Sequence, residues 1–124
     1  MYVDGFVMAV PKARLGEYKA LAEKACAVWK QHGAVDYVEC VADDVKPGKL
    51  TSFPQAVMLG DDEVVVFSWI TYPSREARDR VNAAVMEDPW MKDMKMEDMP
   101  FDGKRMIWGG FESRSEERRV GKEC

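Results

Sequence analysis

From Tyr2 to Val10 the side chains alternate, with Tyr2, Asp4, Phe6 and Met8 on one side and Val3, Gly5, Val7 and Ala9 on the other. Apolar residues on both sides predict a strand whose two faces are largely covered, and Pro11 is its expected stop. After Arg14 the period changes. Leu15, Tyr18, Leu21, Ala25, Val28 and Trp29 recur at steps of three and four, predicting an amphipathic helix to Gln31, closed by Gly33 as a left-handed cap. Its start is weak, because Arg14 stands where Ser, Asp or Asn would cap better. Ala34 to Ala42, rich in Val and Tyr, reads as a second strand. Glu63 to Tyr72 (Glu-Val-Val-Val-Phe-Ser-Trp-Ile-Thr-Tyr) is the clearest strand, and its apolar run predicts a central place in a sheet. Ser74 then serves as an N-cap, and Ala77, Val81, Ala84 and Val85 carry a second amphipathic helix ending near Pro89. Lys104 to Phe111 supplies the last strand, where Gly109-Gly110 signals close backbone approach or a bulge.

The order β-α-β-β-α-β is the split arrangement of ferredoxin-like domains, an α+β fold. It predicts an antiparallel four-stranded sheet with two helices on one face. Strands that are apolar on both sides also need a cover for the second face. The simplest supplier is another copy of the chain, so a homodimer is expected. Two connections are longer than usual. Asp43 to Asp62 carries Phe53, Ala56, Val57, Met58 and Leu59, and Trp90 to Gly103 carries Met91, Met94, Met96 and Met99. The methionines read as a packed lid, because the acids and lysines between them do not suit a soft-metal site.

Composition changes little of this. An apolar share of 47% across 124 residues suits one domain with one core, expected over 1–113. No stretch approaches the length of a membrane helix, and the start lacks the basic and small-residue features of a signal peptide, so a cytoplasmic setting is expected. Cys26, Cys40 and Cys124 share no short spacing. Cys26 and Cys40 are expected as small buried hydrophobes, outside any disulfide framework or zinc site. Residues 114–124 (Arg-Ser-Glu-Glu-Arg-Arg-Val-Gly-Lys-Glu-Cys) have no periodicity and nothing to pack. They resemble the in-frame translation of a short-read sequencing adapter, and a disordered tail is expected there. Without them the net charge moves from −4 to −5, so neither nucleic acid nor an anionic membrane is an expected partner.

Several spaced blocks resemble a known family. They are Tyr2-Val3-Asp4-Gly5-Phe6, His32-Gly33-Ala34, Glu39-Cys40, Asp43-Asp44-Val45, Val66-Phe67-Ser68-Trp69-Ile70, Pro73-Ser74 and the run from Met99 to Phe111. Together they are similar to the bacterial domain-of-unknown-function 1428 (YbaA-like) family, over residues 2–112. The resemblance implies a dimeric α/β barrel and implies no reaction. Arg14 departs from the Asn usual in that family, which bears on stability.

Five residues are candidates for a pocket: Asp4, His32, Glu39, Trp69 and Arg105. Two roles fit His32, the only histidine. It can cap the carbonyls at the end of the first helix, or it can face a pocket as a base or ligand. Asp4 and Glu39 each interrupt an apolar strand, where a carboxylate is costly unless paired. First and last strands are neighbours in this topology, which makes Arg105 the expected partner of Asp4. Each acid is either an interface salt bridge or a pocket group able to act as a base. Trp69, Phe67, Phe6 and Trp108 build core or interface, or they wall a cavity for a flat organic ligand. Acids at 43, 44, 61 and 62 read as solvated loop residues. Ser68 lacks a nearby histidine and elbow glycines, and no phosphate-binding glycine loop occurs.

Three functions compete. The first is a homodimeric small-molecule-binding or accessory domain with no cofactor. The second is a monooxygenase-like enzyme, cofactor-independent or haem-dependent, with His32 as the imidazole a haem would need. RNA binding ranks last, because the third strand lacks the basic-glycine-aromatic signature of RNA-recognition motifs.

Overall fold

The computed structural model describes residues 1–115. Most of the 114–124 tail therefore lies outside the described residues. Runs of β-branched and aromatic residues make β1 (Tyr2–Pro11) and β3 (Glu63–Tyr72) long strands, and they pair along their whole length in antiparallel register from Tyr2↔Tyr72 to Pro11↔Glu63. β2 (Asp36–Val41) flanks β3 and β4 (Ile107–Glu112) flanks β1, giving the order β2-β3-β1-β4. The fold is the expected α+β, ferredoxin-like antiparallel sheet, with β3 central.

The helical stripe read from Leu15 to Trp29 forms α1 (Leu15–Gln31), preceded by a short 3-10 turn over Lys12–Arg14. Gly33 ends it at φ 121°, a left-handed conformation that L side chains rarely adopt. Arg14 makes no side-chain cap; its guanidinium pairs with Glu17 and donates to the carbonyls of Asp98 and Met99, 3.2 Å each. A short helix, α2 (Phe53–Ala56), lies in the long connection before β3. Ser74 caps α3 (Arg75–Glu87) by accepting from the Ala77 amide at 3.1 Å. The next turn is α4 (Pro89–Lys92), capped by Asp88. Among the described residues no helix is long and apolar enough to cross a membrane.

α1 and α3 pack on one face of the sheet. Ile70 and Tyr72 meet Ala77, Val81 and Val85 near α3, while Met8, Val10 and Val66 meet Tyr18 and Ala22 of α1. The other face differs from the expectation that a second copy alone would cover it. Val57, fully buried, sits with Val7, Ala9 and Val65, so the 43–62 connection folds back over part of that face. The remainder is open and apolar. Phe67 is 41% exposed and Phe111 63%, with Ile107 exposed and Val38 and Trp69 half-buried beside them. The Phe111 ring lies over Gly5 and Gly109, which face each other in register and leave room for it. Cys26 and Cys40 are free and half-buried, less enclosed than their composition suggested.

Candidate functional site

Between the sheet and α1 lies a cavity of about 160 Å³. The sheet contributes Phe6, Met8, Ser68 and Ile70 as its floor, and α1 contributes Tyr18, Leu21, Ala25 and Trp29 as one wall. Trp90 and Met91 of α4, then Met94, Met99 and Met106, form the cover. The connection carrying methionines is thus the lid its composition suggested, with Met91, Met94 and Met99 inward and Met96 exposed.

Among the described residues one carboxylic acid, Glu39, lines this space. Tyr37 and Glu39 share the parity that points toward the helices, and register sets Glu39 opposite Ser68. The Tyr18 hydroxyl donates to Glu39 Oε1 at 2.7 Å. Burial raises the Glu39 pKa above the ordinary glutamate value, and bonds from Tyr18, Tyr37 and Ser68 only partly offset it. The Tyr18 and Tyr37 phenols are pushed well upward, first by burial and then by the charge of Glu39. They stay protonated and act as donors. Tyr18, Ala22, Tyr37 and Glu39 also line a second groove of about 690 Å³ that runs between α1 and β2 past Lys19, Glu23 and Cys26. Glu39 therefore stands in the partition between the two spaces.

Of the five residues singled out in the sequence, Glu39 alone lines the cavity. Asp4 is 1% exposed and buried under α3, where its partner is Arg78 and not Arg105. Arg78 Nε approaches Asp4 Oδ1 at 3.2 Å, while the Tyr72 hydroxyl donates to Oδ2 at 3.0 Å. The Arg78–Asp4 contact is ionic and poorly directed, because neither of those two atoms makes a well-formed hydrogen bond. Gly110 lies opposite Asp4, and a Cβ there would collide with the Arg78 guanidinium and the Tyr2 phenol. Arg105 precedes β4 in a 3-10 turn. It clamps Glu63 in a bidentate pair at 2.8 and 2.7 Å and also binds Asp102 and the Met58 carbonyl. That clamp, more than burial opposes it, draws the Glu63 pKa down to about 2.

His32 lies at the end of α1, but its imidazole does not bond the helix carbonyls. Nε2 donates to Asp88 Oδ2 at 2.9 Å, and Asp88 Oδ1 accepts from the Trp90 amide at 2.9 Å. The histidine thus ties α1 to the cap of α4, outside the cavity. Trp69 points to the opposite face of the sheet, where it meets Phe67 with ring centroids 5.7 Å apart. Among the described residues no three His, Cys, Asp or Glu side chains converge as a metal ion would require.

Tyr18, Tyr37 and Arg78 were not singled out from the sequence, and Ser68 was weighed there only as a nucleophile and set aside. Parity marks Ser68, which breaks the inward row Val66, Ile70, Tyr72. Helical spacing marks Arg78, three residues before Val81 on the face that α3 buries.

The fold and the cavity together define a ferredoxin-like α+β protein with an apolar pocket over a single carboxyl group. The chain belongs to the family described as protein of unknown function (DUF1428), which it matches over residues 1–103. It is 55% identical over 112 residues to the uncharacterized protein YbaA of Escherichia coli K12, covering 90% of this chain and 95% of that protein. The Shigella flexneri protein of the same name matches to the same extent. Among solved structures, a NIPSNAP domain protein from Burkholderia xenovorans superposes with TM-score 0.55 at 10% identity, covering 93% of this chain and 96% of that one. A dimeric ferredoxin-like protein from an uncultured marine organism superposes with TM-score 0.50 at 11% identity, covering 100% and 99%. These two likenesses concern the fold.

Proposed function

We propose that the chain is a homodimeric domain that binds a small, largely apolar organic molecule in the cavity above Glu39. The observation that carries this reading is the cavity itself, a part-open space with apolar walls whose lining includes one hydrogen-bonded carboxyl group. Pockets that hold small molecules are commonly built this way, from apolar surface and a few polar groups that set orientation. The reading invokes no cofactor. Its dimeric part is supported by the open apolar half of the sheet and by a fold neighbour described as dimeric. A panel of small aromatic and aliphatic compounds tests the binding by thermal shift and native mass spectrometry. At least one compound should raise the melting midpoint of the wild-type chain and give one adduct per protomer. Ala25→Leu, which fills the cavity, should abolish both signals. A broad panel with neither adduct nor shift would overturn the reading.

The same carboxyl favours a second reading, an enzyme in which Glu39 takes a proton from a bound substrate. Its raised pKa suits a general base. Oxygen uptake with small quinols, lost in Glu39→Gln, would support it, and no uptake would remove it. A haem-dependent version lacks support from His32, which is held by Asp88 and does not line the cavity.

A further inference from the structure

Glu39 is a half-buried carboxylate whose interaction partners among the described residues are neutral. Tyr18, Tyr37 and Ser68 supply hydrogen bonds, and among the described residues no Lys or Arg contributes to its electrostatics. Lys19 lines the outer groove and is absent from the cavity wall. A buried carboxylate without a cation is costly, because hydroxyl dipoles replace only part of its lost hydration. Around it stand two aromatic pairs that each include one of its tyrosines. Tyr18 meets Phe101 edge-on at 6.0 Å, and Trp29 meets Tyr37 at 6.1 Å between centroids. Aromatic faces attract cations, most strongly where water is excluded. The methionine thioethers of the lid add polarisable surface and carry no positive charge.

From this we infer that the ligand of the cavity is a small organic cation, a primary or substituted ammonium on a compact apolar body. The ammonium donates to Glu39 between the two aromatic pairs, and the body fills the space beneath the methionine lid. A cavity of about 160 Å³ admits a body about the size of a benzene ring, since an engineered apolar cavity of roughly 150 Å³ takes benzene. An anionic ligand would meet the carboxylate head-on, and a neutral alcohol would satisfy a hydrogen bond while leaving the charge uncompensated. This inference rests on the proposal that the cavity binds small molecules.

Three compounds of nearly one shape and different charge decide it: benzylamine, benzyl alcohol and benzoate. Each is titrated calorimetrically into the wild-type full chain at neutral pH. Benzylamine should bind about tenfold or more tighter than benzyl alcohol, the margin expected of a charge-assisted bond over a neutral one, and benzoate should not bind. In Glu39→Gln the advantage of the amine should shrink to about twofold or less while benzyl alcohol binding persists. If that variant does not fold, the wild-type series decides alone. Benzyl alcohol binding as tightly as benzylamine would overturn the ligand class and leave the cavity reading standing. Failure of all three to bind the wild-type chain would also overturn the ligand class, and the cavity reading would fall with it only if the broad panel gave neither adduct nor shift.

Discussion

At Glu39 three hydroxyls favour the charged carboxylate, burial disfavours it, and burial prevails. The folded chain therefore holds this proton to higher pH than the unfolded chain does. The stability linked to it is complete below the ordinary glutamate range and is lost as pH rises through the raised value. Glu63 has the opposite sign. Arg105 draws its pKa down to about 2, so its contribution is present above the ordinary value of 4.5 and is lost as pH falls toward 2. Replacing Glu39 by Gln keeps an acceptor for Tyr18 and removes the titration. Glu39→Gln should therefore melt at a higher temperature than the wild type near pH 8, and the difference should shrink toward zero near pH 4. Melting curves by circular dichroism across that range check this. A difference that does not change with pH would mean that burial does not govern the group.

The lid is where one element depends on another. Its own structure is three short helical turns, Pro89–Lys92, Met96–Asp98 and Gly103–Arg105, and three ties hold it in position. His32 and Asp88 fasten its start, Arg14 holds the carbonyls of Asp98 and Met99, and Arg105 holds its far end against Glu63. The His32 bond is the main cause of the lowered Asp88 pKa, followed by the bond from the Trp90 amide. Asp88→Ala removes both interactions at once. The amides of Trp90 to Met94 should then exchange with deuterium faster, while those of β3 keep wild-type protection. Unchanged exchange in the lid would show that Arg14 and Arg105 suffice to hold it. α1 was legible from its period near 3.6, β1 and β3 from continuous runs of strand-forming apolar residues bounded by polar residues and proline, and Glu39 as a charge in an apolar row. The lid ties were not, because Arg14 bonds main-chain carbonyls and no side-chain pattern records that. Arg105 misled for a related reason. β4 begins only at Ile107, so register sets Gly110 opposite Asp4 and leaves Arg105 in the turn before the strand.

The molecule as a whole presents two apolar faces of one sheet, and the described residues cover neither of them fully. The helices shield the middle of the inner face and leave Val41 and Trp108 exposed on the two edge strands. The outer face receives Val57 and Leu59 from the 43–62 connection over Val7, Ala9 and Val65, and stays open around Phe67, Ile107 and Phe111. An open patch built from neighbouring strands is the surface on which an isologous pair forms, because a twofold axis sets the same residues against themselves. Phe111 separates folding from association. It is 63% exposed and rests on Gly5 and Gly109, so a charge there costs the folded protomer little. In a pair, the same charge would be buried against an apolar surface or against its own copy. Phe111→Glu should therefore sediment as a folded monomer at micromolar concentration, where the wild-type chain sediments as a dimer. Met86 is 53% exposed on α3 in the helical layer, so Met86→Glu adds the same charge away from the open face and should remain dimeric. Dissociation by Met86→Glu and not by Phe111→Glu would move the interface to the helices. A monomeric wild type would leave the open face without a second copy to cover it.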